Sequence, residues 1–321
     1  MKPISLLIDM NEINISSLDL NLLKTFEALY EEGSASRAGL RLGITQSAVS
    51  ATLKRLRQWY GDPLFVRTGR GLMPTPRAHE LQPLVSDALN KCRETLMLLQ
   101  PNPQAYVGRT VTLGLSDDFE LALGQMLIAR LHQRAPGLRL VFRQAHSQIA
   151  ADLLLRHELD LALTAGGFSY RSLSKMQVAS GGYACLVSRD VTTLSLERFI
   201  HTPHLLISHG GHIGLVDEQL AELGFSRRIA ASTTHFAAIP WLLQDDTLLA
   251  TLPAHAAQAI AARTPHLRCL QCPLSMPDYA IELGFRPTII RDGAVRLVRE
   301  TLSQLASEFH WFAPVGTLSE F

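Results

Sequence analysis

The sequence predicts an α/β chain in two parts: a small helical head carrying a β-wing, and a larger body in which strands and helices alternate. Three observations carry this. Apolar residues recur at helical spacing through roughly the first hundred positions, in short runs divided by Asp, Ser, Thr and Gly. After Tyr106 strand-like runs alternate with helical ones. Charge is segregated along the chain. Residues 34–77 hold eight Lys and Arg against the single acid Asp62, a formal +7, while the remaining 22 basic and 28 acidic residues sum to −6. The whole-chain net of +1 hides that split.

Length and composition set the outer bounds. A chain of 321 residues has room for two or three domains, and 47% hydrophobic content rules out wholesale disorder. The opening apolar run, residues 4–8, is cut short by Asp9 and Glu12, too short and too charged for a secretory leader. The least charged stretch, 247–262, contains Pro253, His255 and Gln258 and does not read as a membrane span. Four cysteines in this length make no disulfide framework. The expectation is a soluble, reduced, cytoplasmic protein with no membrane partner.

Within the head, Asp19 caps a helix whose inward stripe is Leu22, Leu23, Phe26, Leu29 and Tyr30. Ser34 caps a second, short helix that begins at Ala35, carries Ser36, Arg37, Ala38, Leu40 and Leu42, and stops at Gly43. Thr45 caps a third, from Gln46 to about Tyr60, with Val49, Leu53, Leu56 and Tyr60 facing inward. A short helix, a Gly-containing turn and a second capped helix form a helix-turn-helix, placed over residues 35–54 and closing at Lys54. Gln46, Ser47 and Ser50 stand at the start of the third helix, where a recognition helix meets base edges; Gln suits adenine and Ser several bases. Lys54, Arg55 and Arg57 suit phosphates. Gly61-Asp62-Pro63 then turns into a wing, residues 64–71, with Arg67 and Arg70 placed to reach a DNA backbone or minor groove.

The runs Asp19-Leu20-Asn21-Leu22-Leu23, Thr45-Gln46-Ser47-Ala48-Val49-Ser50, Asp62-Pro63-Leu64-Phe65-Val66-Arg67 and Pro74-Thr75-Pro76 resemble the winged helix-turn-helix of LysR-type transcriptional regulators. The chain most resembles the branch that answers aromatic acids and plant flavonoids. The resemblance implies a sequence-specific regulator of transcription that binds double-stranded promoter or operator DNA and is not an enzyme. Gly39 departs from it, standing where the family usually has Ala. Inside a helix that costs about 1 kcal/mol, so a softened second helix is expected.

Thr75-Pro76 opens a long helix with apolar positions at Ala78, Leu81, Leu84, Val85, Ala88, Leu89, Cys92, Leu96 and Leu99. Such a stripe needs a partner, either the chain's own second half or, as the resemblance implies, the same helix of a second copy in a homodimer and further a homotetramer. The domains expected are residues 18–75, a linker helix 76–100, and a body from 108 to 321. In the body, strands at 111–115, 138–142 and 160–163 alternate with helices, and the alternation restarts at 183 and ends near Cys272, which argues for parallel sheet. A last amphipathic helix, 292–309, closes the first subdomain. The resemblance implies two lobes like those of periplasmic solute-binding proteins: about 108–165 with 273–321, and 166–272. It puts the hinges near 164–167 and 273–281.

A cleft between lobes should lie at strand ends where helices begin. Ser116, Ser147, Thr164, Ser208 and Thr234 occupy such junctions, favourable to a carboxylate unless they are plain caps. The resemblance adds His212 in a Gly-rich loop and His235-Phe236 as lining for a small organic acid, with an aromatic one implied. Asp117 and Asp118 bring negative charge to the first junction. Histidine pairs at 201/204 and 209/212, and His266 with Cys269 and Cys272, have spacings that metal ligands use, and the CxxC admits a thiol switch. With a single CxxC inside an apolar run, a metal- or redox-sensing regulator is the alternative, and a solute-binding or enzymatic body a more distant one. No metal and no cofactor are expected.

Overall fold

The computed structural model describes residues 19–69, 71–97, 106–208 and 213–312. Two of the expected site residues, Arg70 and His212, lie outside that range, as do His209 and Leu99. The chain forms two compact units, residues 1–101 and 102–321.

The first unit contains α1 (Leu20–Glu32), α2 (Ala35–Leu42), α3 (Gln46–Tyr60), the antiparallel hairpin β1 (Phe65–Thr68) and β2 (Gly71–Pro74), and α4 (Pro76–Met97). Asp19, Ser34 and Thr45 cap the three head helices through their side chains. Phe26, Leu29, Val49, Leu56 and Phe65 meet in one core. Asp62, the single acid of the basic stretch, serves the turn. One of its carboxylate oxygens accepts Leu64 N–H at 2.6 Å and the Thr75 hydroxyl at 2.7 Å, and Leu64 is held in the left-handed region at φ 57° with its side chain buried. Gly39 is explained by packing. A Cβ there would lie 2.8 Å from the Ile44 carbonyl oxygen, so its absence lets the turn close onto α2.

Ala78, Leu81, Val85 and Leu89 of α4 are buried in this same core, so a boundary at 75/76 cuts through packed side chains. Arg93 adds an ion pair to Glu27 of α1 at 2.7 Å. Leu84 stays 67% exposed and Ala88 and Cys92 are exposed beside it, leaving these three positions of the stripe on the outside of the unit.

The second unit runs β3 (Thr110–Leu115), α5 (Asp117–Arg134), β4 (Arg139–Gln144), α6 (Ala150–Leu155), β5 (Leu161–Thr164), β6 (Ser174–Gly181), β7 (Tyr183–Ser188), α7 (Leu196–His201), β8 (His204–Ile207), α8 (Leu215–Glu222), β9 (Ile229–Thr233), a 3₁₀ turn Phe236–Ala238, α9 (Ile239–Leu242), β10 (Ala250–Pro253), α10 (Ala254–Ala261), β11 (Leu267–Gln271), β12 (Tyr279–Phe285) and α11 (Gly293–Glu308). One lobe is built on a five-stranded sheet, β4-β3-β5-β12-β6. Phe119, Leu123, Leu127, Val298 and Leu302 of α5 and α11 cover one face; Ala150 and Leu154 of α6, with Phe168, pack in a separate core. Asp292 caps α11 with one oxygen and pairs with buried Arg109 through the other at 2.8 Å, tying the last helix to the residue that leads into β3. The other lobe holds β10-β7-β11 and the parallel pair β8-β9, joined by a bridge between His204 and Leu249.

Two expectations are corrected. The sheets are mixed: β3 is parallel to β4 and β5, whereas β12 runs antiparallel to β5 and β6, and β7 antiparallel to both its neighbours. The first crossover is also later than 164–167. Residues 174–181 form an edge strand of the first sheet, so the chain enters the second lobe at Gly181-Gly182 and the lobe boundary at 166 falls short. The strand's polar–apolar alternation is confined to Lys175-Met176-Gln177-Val178 and gives way to Ala179-Ser180-Gly181, too short a signal to mark a strand in the sequence.

Candidate functional site

In the first unit, Gln46, Ser47, Ser50 and Lys54 are exposed along one side of α3. The Thr45 hydroxyl accepts Ala48 N–H at 3.2 Å and lies 2.9 Å from Ser47 Oγ. Ser36 of α2 donates to Gln46 Oε1 at 3.0 Å. The arginines divide into two kinds. Arg37 donates through Nε to the Glu32 carbonyl at 3.1 Å, closing the end of α1. Arg41 faces Glu31 at 2.5 Å, Glu32 at 3.5 Å and Glu27 at 4.0 Å. Arg57 donates to the Pro63 and Phe65 carbonyls, both at 2.8 Å, and so braces the wing. Arg55 makes only a long exposed pair with Asp19, at 3.7 Å, of the kind worth about 0–1 kcal/mol. Lys54 and Arg67 are exposed and have no protein partner among the described residues. Among the described residues, Lys54, Arg55 and Arg67, with Arg77 in an exposed pair to Glu80 at 3.0 Å, are the cations of the basic stretch left open to phosphate.

In the second unit the strand register gathers the expected cleft residues. Leu115 lies beside Gln144 and Leu163, so Ser116, Thr164 and the turn leading to Ser147 leave the first sheet at its shared C-terminal edge. The loop after Thr164 packs back on Ser147, with no room for a side chain at Gly167. Ile207 pairs with Thr233 and Ser208 N–H donates to the Thr233 carbonyl at 2.9 Å, so Ser208 and His235 leave the β8-β9 pair at its own C-terminal edge. His235 is exposed; Phe236 is half-buried against the second lobe's core. Asp117 bridges the two edges: its Oδ2 accepts Ala237 N–H at 3.1 Å, and its Oδ1 is buried with no hydrogen-bond partner among the described residues.

Ser116 is not a capping side chain, and neither is Ser147, since α6 begins three residues later behind Ile149. The Ser116 hydroxyl donates to Asp118 Oδ1 instead. Asp118 Oδ2 lies 3.1 Å from His255 Nε2 of α10, and His255 Nδ1 lies 3.2 Å from the Tyr279 hydroxyl. His255 is fully buried, stacked on Phe119 at 4.6 Å and edge-on to Trp311 at 5.2 Å. Burial would raise the Asp118 carboxyl, but the His255 contact and the Ser116 hydroxyl bring it below its ordinary value. From the sequence, Asp118 stands out only as a charge near the cleft, and His255 and Tyr279 do not stand out as site residues at all. The one signal for them is a His in an Ala-rich apolar helix.

The metal-like spacings do different work. His201 Nδ1 donates to the Glu197 carbonyl at 2.8 Å, His204 Nε2 to Phe199 at 2.8 Å, and His266 Nε2 to Pro240 and Leu243 at 3.2 and 3.1 Å. Cys269 packs on one face of the β7–β11 sheet and Cys272 on the other, against Cys185, so the CxxC does not bring its thiols together. Burial pushes Cys269 up to about 11, while a hydrogen bond from Cys185 lowers Cys272. Among the described residues no three His, Cys, Asp or Glu side chains are grouped to hold a metal ion. No described helix is long and apolar enough to cross a membrane.

Residues 20–79 match the bacterial regulatory helix-turn-helix protein model of the lysR family, and residues 104–307 match the LysR substrate binding domain. The HTH-type transcriptional activator NahR of Pseudomonas putida is 32% identical over 301 residues, covering 92% of this chain and 100% of its own. Nodulation protein D 2 of Sinorhizobium fredii is 30% identical, covering 94% and 97%. Among solved structures, a probable transcriptional regulator from Pseudomonas aeruginosa aligns with a TM-score of 0.65 at 30% identity, over 88% of this chain and 96% of that one. The regulatory domain of MexT, a transcriptional activator of the same organism, aligns with a TM-score of 0.57 at 28% identity, over 61% and 98%. Both halves of the molecule, the capped recognition helix with its wing and the two-lobed body, are thus accounted for together: the chain belongs to the LysR family of bacterial regulatory helix-turn-helix proteins and is a DNA-binding transcriptional regulator.

Proposed function

We propose that the two-lobed unit senses a small organic acid of aromatic character, held between the edge of Ser116, Ser147 and Thr164 and the edge of Ser208, His212, His235 and Phe236. The observation that carries this reading is the convergence of two C-terminal strand edges joined by Asp117 and Ala237, the place where open α/β sheets bind ligands. Hydroxyls and an imidazole suit a carboxylate; Phe236 offers an apolar wall to a ring. On the DNA side, Gln46, Ser47 and Ser50 read bases, with Lys54, Arg55, Arg67 and Arg70 on phosphates. The exposed positions of the α4 stripe, Leu84, Ala88 and Cys92, support pairing of two chains into a homodimer, and pairs of dimers into a tetramer, on two-fold-related sites in cytoplasmic DNA. The division of labour is 18–75 for DNA, 76–100 for dimerisation and 108–321 for sensing. Ligand binding shifts the balance of lobe arrangements and with it the presentation of the paired heads.

A melting-temperature screen of the full chain with benzoate, hydroxybenzoates and aliphatic acids tests the sensing claim. An aromatic carboxylate at 100–1,000 times its Kd adds about 2.7–4.1 kcal/mol of stability. Stabilisation by aliphatic acids alone, or by none of the panel, overturns it.

A further inference from the structure

The hydrogen bonds around Asp118 run in one direction. The Asp118 carboxylate only accepts, so His255 presents its Nε2–H to it. The Nδ1 of a neutral imidazole then accepts from the Tyr279 phenol, which burial and the nearby Asp118 charge keep protonated. Ser116 donates to the other carboxylate oxygen. One carboxylate from the start of α5 in the first lobe thus accepts a hydrogen bond from α10 in the second lobe and another from the strand edge where the cleft residues lie. Phe119 and Trp311 hold the imidazole from two sides, so it has no room to turn to another acceptor. The far end of the chain is the crossover itself. The Tyr279 ring lies where a Cβ at Gly181 would sit, 2.6 Å from its ring atoms, and packs edge-on to Tyr183 at 5.3 Å.

We propose that Asp118 is a positioning residue that couples the Ser116 edge of the cleft to the lobe crossover at Gly181–Tyr183. The proposal rests on the reading that a ligand meets Ser116. That hydroxyl has a single proton. A ligand carboxylate that accepts this hydrogen bond takes it from Asp118, which then keeps, among the described residues, its His255 contact and the backbone N–H of Phe119. Removing a hydrogen bond from a buried carboxylate is costly, so Asp118 re-settles. His255 follows, and Tyr279 carries the change to the strand junction.

The test is a double-mutant cycle on the full chain in the absence of ligand, with amide exchange of α10 as the readout. Ser116 and Tyr279 touch the relay at opposite ends. Ser116→Ala and Tyr279→Phe should each speed α10 exchange, and the double variant should fall short of the product of the two effects by fivefold or more. Ser116→Thr, which keeps the hydroxyl, should restore wild-type exchange. Independent effects, or acceleration confined to β12, overturn the coupling. A second arm adds benzoate. Benzoate that binds the wild type and Tyr279→Phe equally, yet alters α10 exchange only in the wild type, supports the relay. Equal alteration in both overturns it. Absence of benzoate binding to the wild type counts against the sensing reading, and the relay then stands or falls on the ligand-free cycle.

Discussion

Ser36 Oγ donates to Gln46 Oε1 across the turn between α2 and α3, at 3.0 Å. This holds the amide carbonyl before DNA arrives, and among the described residues the Gln46 NH₂ makes no hydrogen bond. A bidentate contact to adenine uses both groups. Gln46→Ala should therefore remove about 1–3 kcal/mol of discrimination at a single base pair. Ser36→Ala should blunt the same preference by about 0.5–1.5 kcal/mol, the net worth of one hydrogen bond. Binding to a library of operator variants checks both; an unchanged preference in Gln46→Ala places the recognition contact elsewhere.

Arg67 and Arg57 are ten residues apart in sequence and differ in what they hold. Arg67→Ala should weaken binding to all DNA sequences alike and lower the salt slope by about 1, the loss of one phosphate contact. Arg57→Ala strips the donor from two wing carbonyls, and its main effect should be on the fold, about 1–3 kcal/mol. Salt-titrated affinities beside urea midpoints separate the pair, and an Arg57 variant of wild-type stability would be the contrary result.

Gly39→Ala offers a test with an unusual sign. Helix propensity alone favours Ala by about 1 kcal/mol. The new Cβ would meet the Ile44 carbonyl oxygen at 2.8 Å, and this is backbone that holds the start of the recognition helix. Overpacking of that kind costs about 1–3 kcal/mol, so the variant should melt below the wild type. A higher melting temperature would show that the turn relaxes freely.

His204 makes the stability of the chain depend on pH. Burial, with the Arg227 guanidinium 3.2 Å away, lowers its pKa to about 4, despite the hydrogen bond to Phe199. The unfolded chain, with His near 6.5, binds that proton first as pH falls. The His204 contribution to stability is therefore level above about pH 6.5 and declines between about 6.5 and 4, by up to about 3 kcal/mol. Asp217, held low by Arg227 despite burial, titrates below that window. Urea midpoints across the range should slope by about one proton less in His204→Gln. Matching slopes would remove His204 from the account.

Everything legible in the order of residues was local. Asp19, Ser34 and Thr45 start helices because their side chains satisfy free N–H groups within three residues, and the strand–helix alternation of the body follows from short-range periodicity. The basic stretch and the junction residues Ser116, Ser147, Thr164 and Ser208 were legible for the same reason. The rest came from the packed chain. Packing set aside Arg37, Arg41 and Arg57 for carbonyls and carboxylates of neighbouring elements, and freed Lys54 and Arg67. It placed residues 174–181 in the first sheet, through pairing with a strand about a hundred positions later. It separated Cys269 from Cys272 and joined Cys272 to Cys185. It also brought Asp118, His255 and Tyr279 together inside the lobe contact. A buried polar group must find its partner wherever the fold supplies one, and spacing along the chain carries no record of partners 137 residues apart.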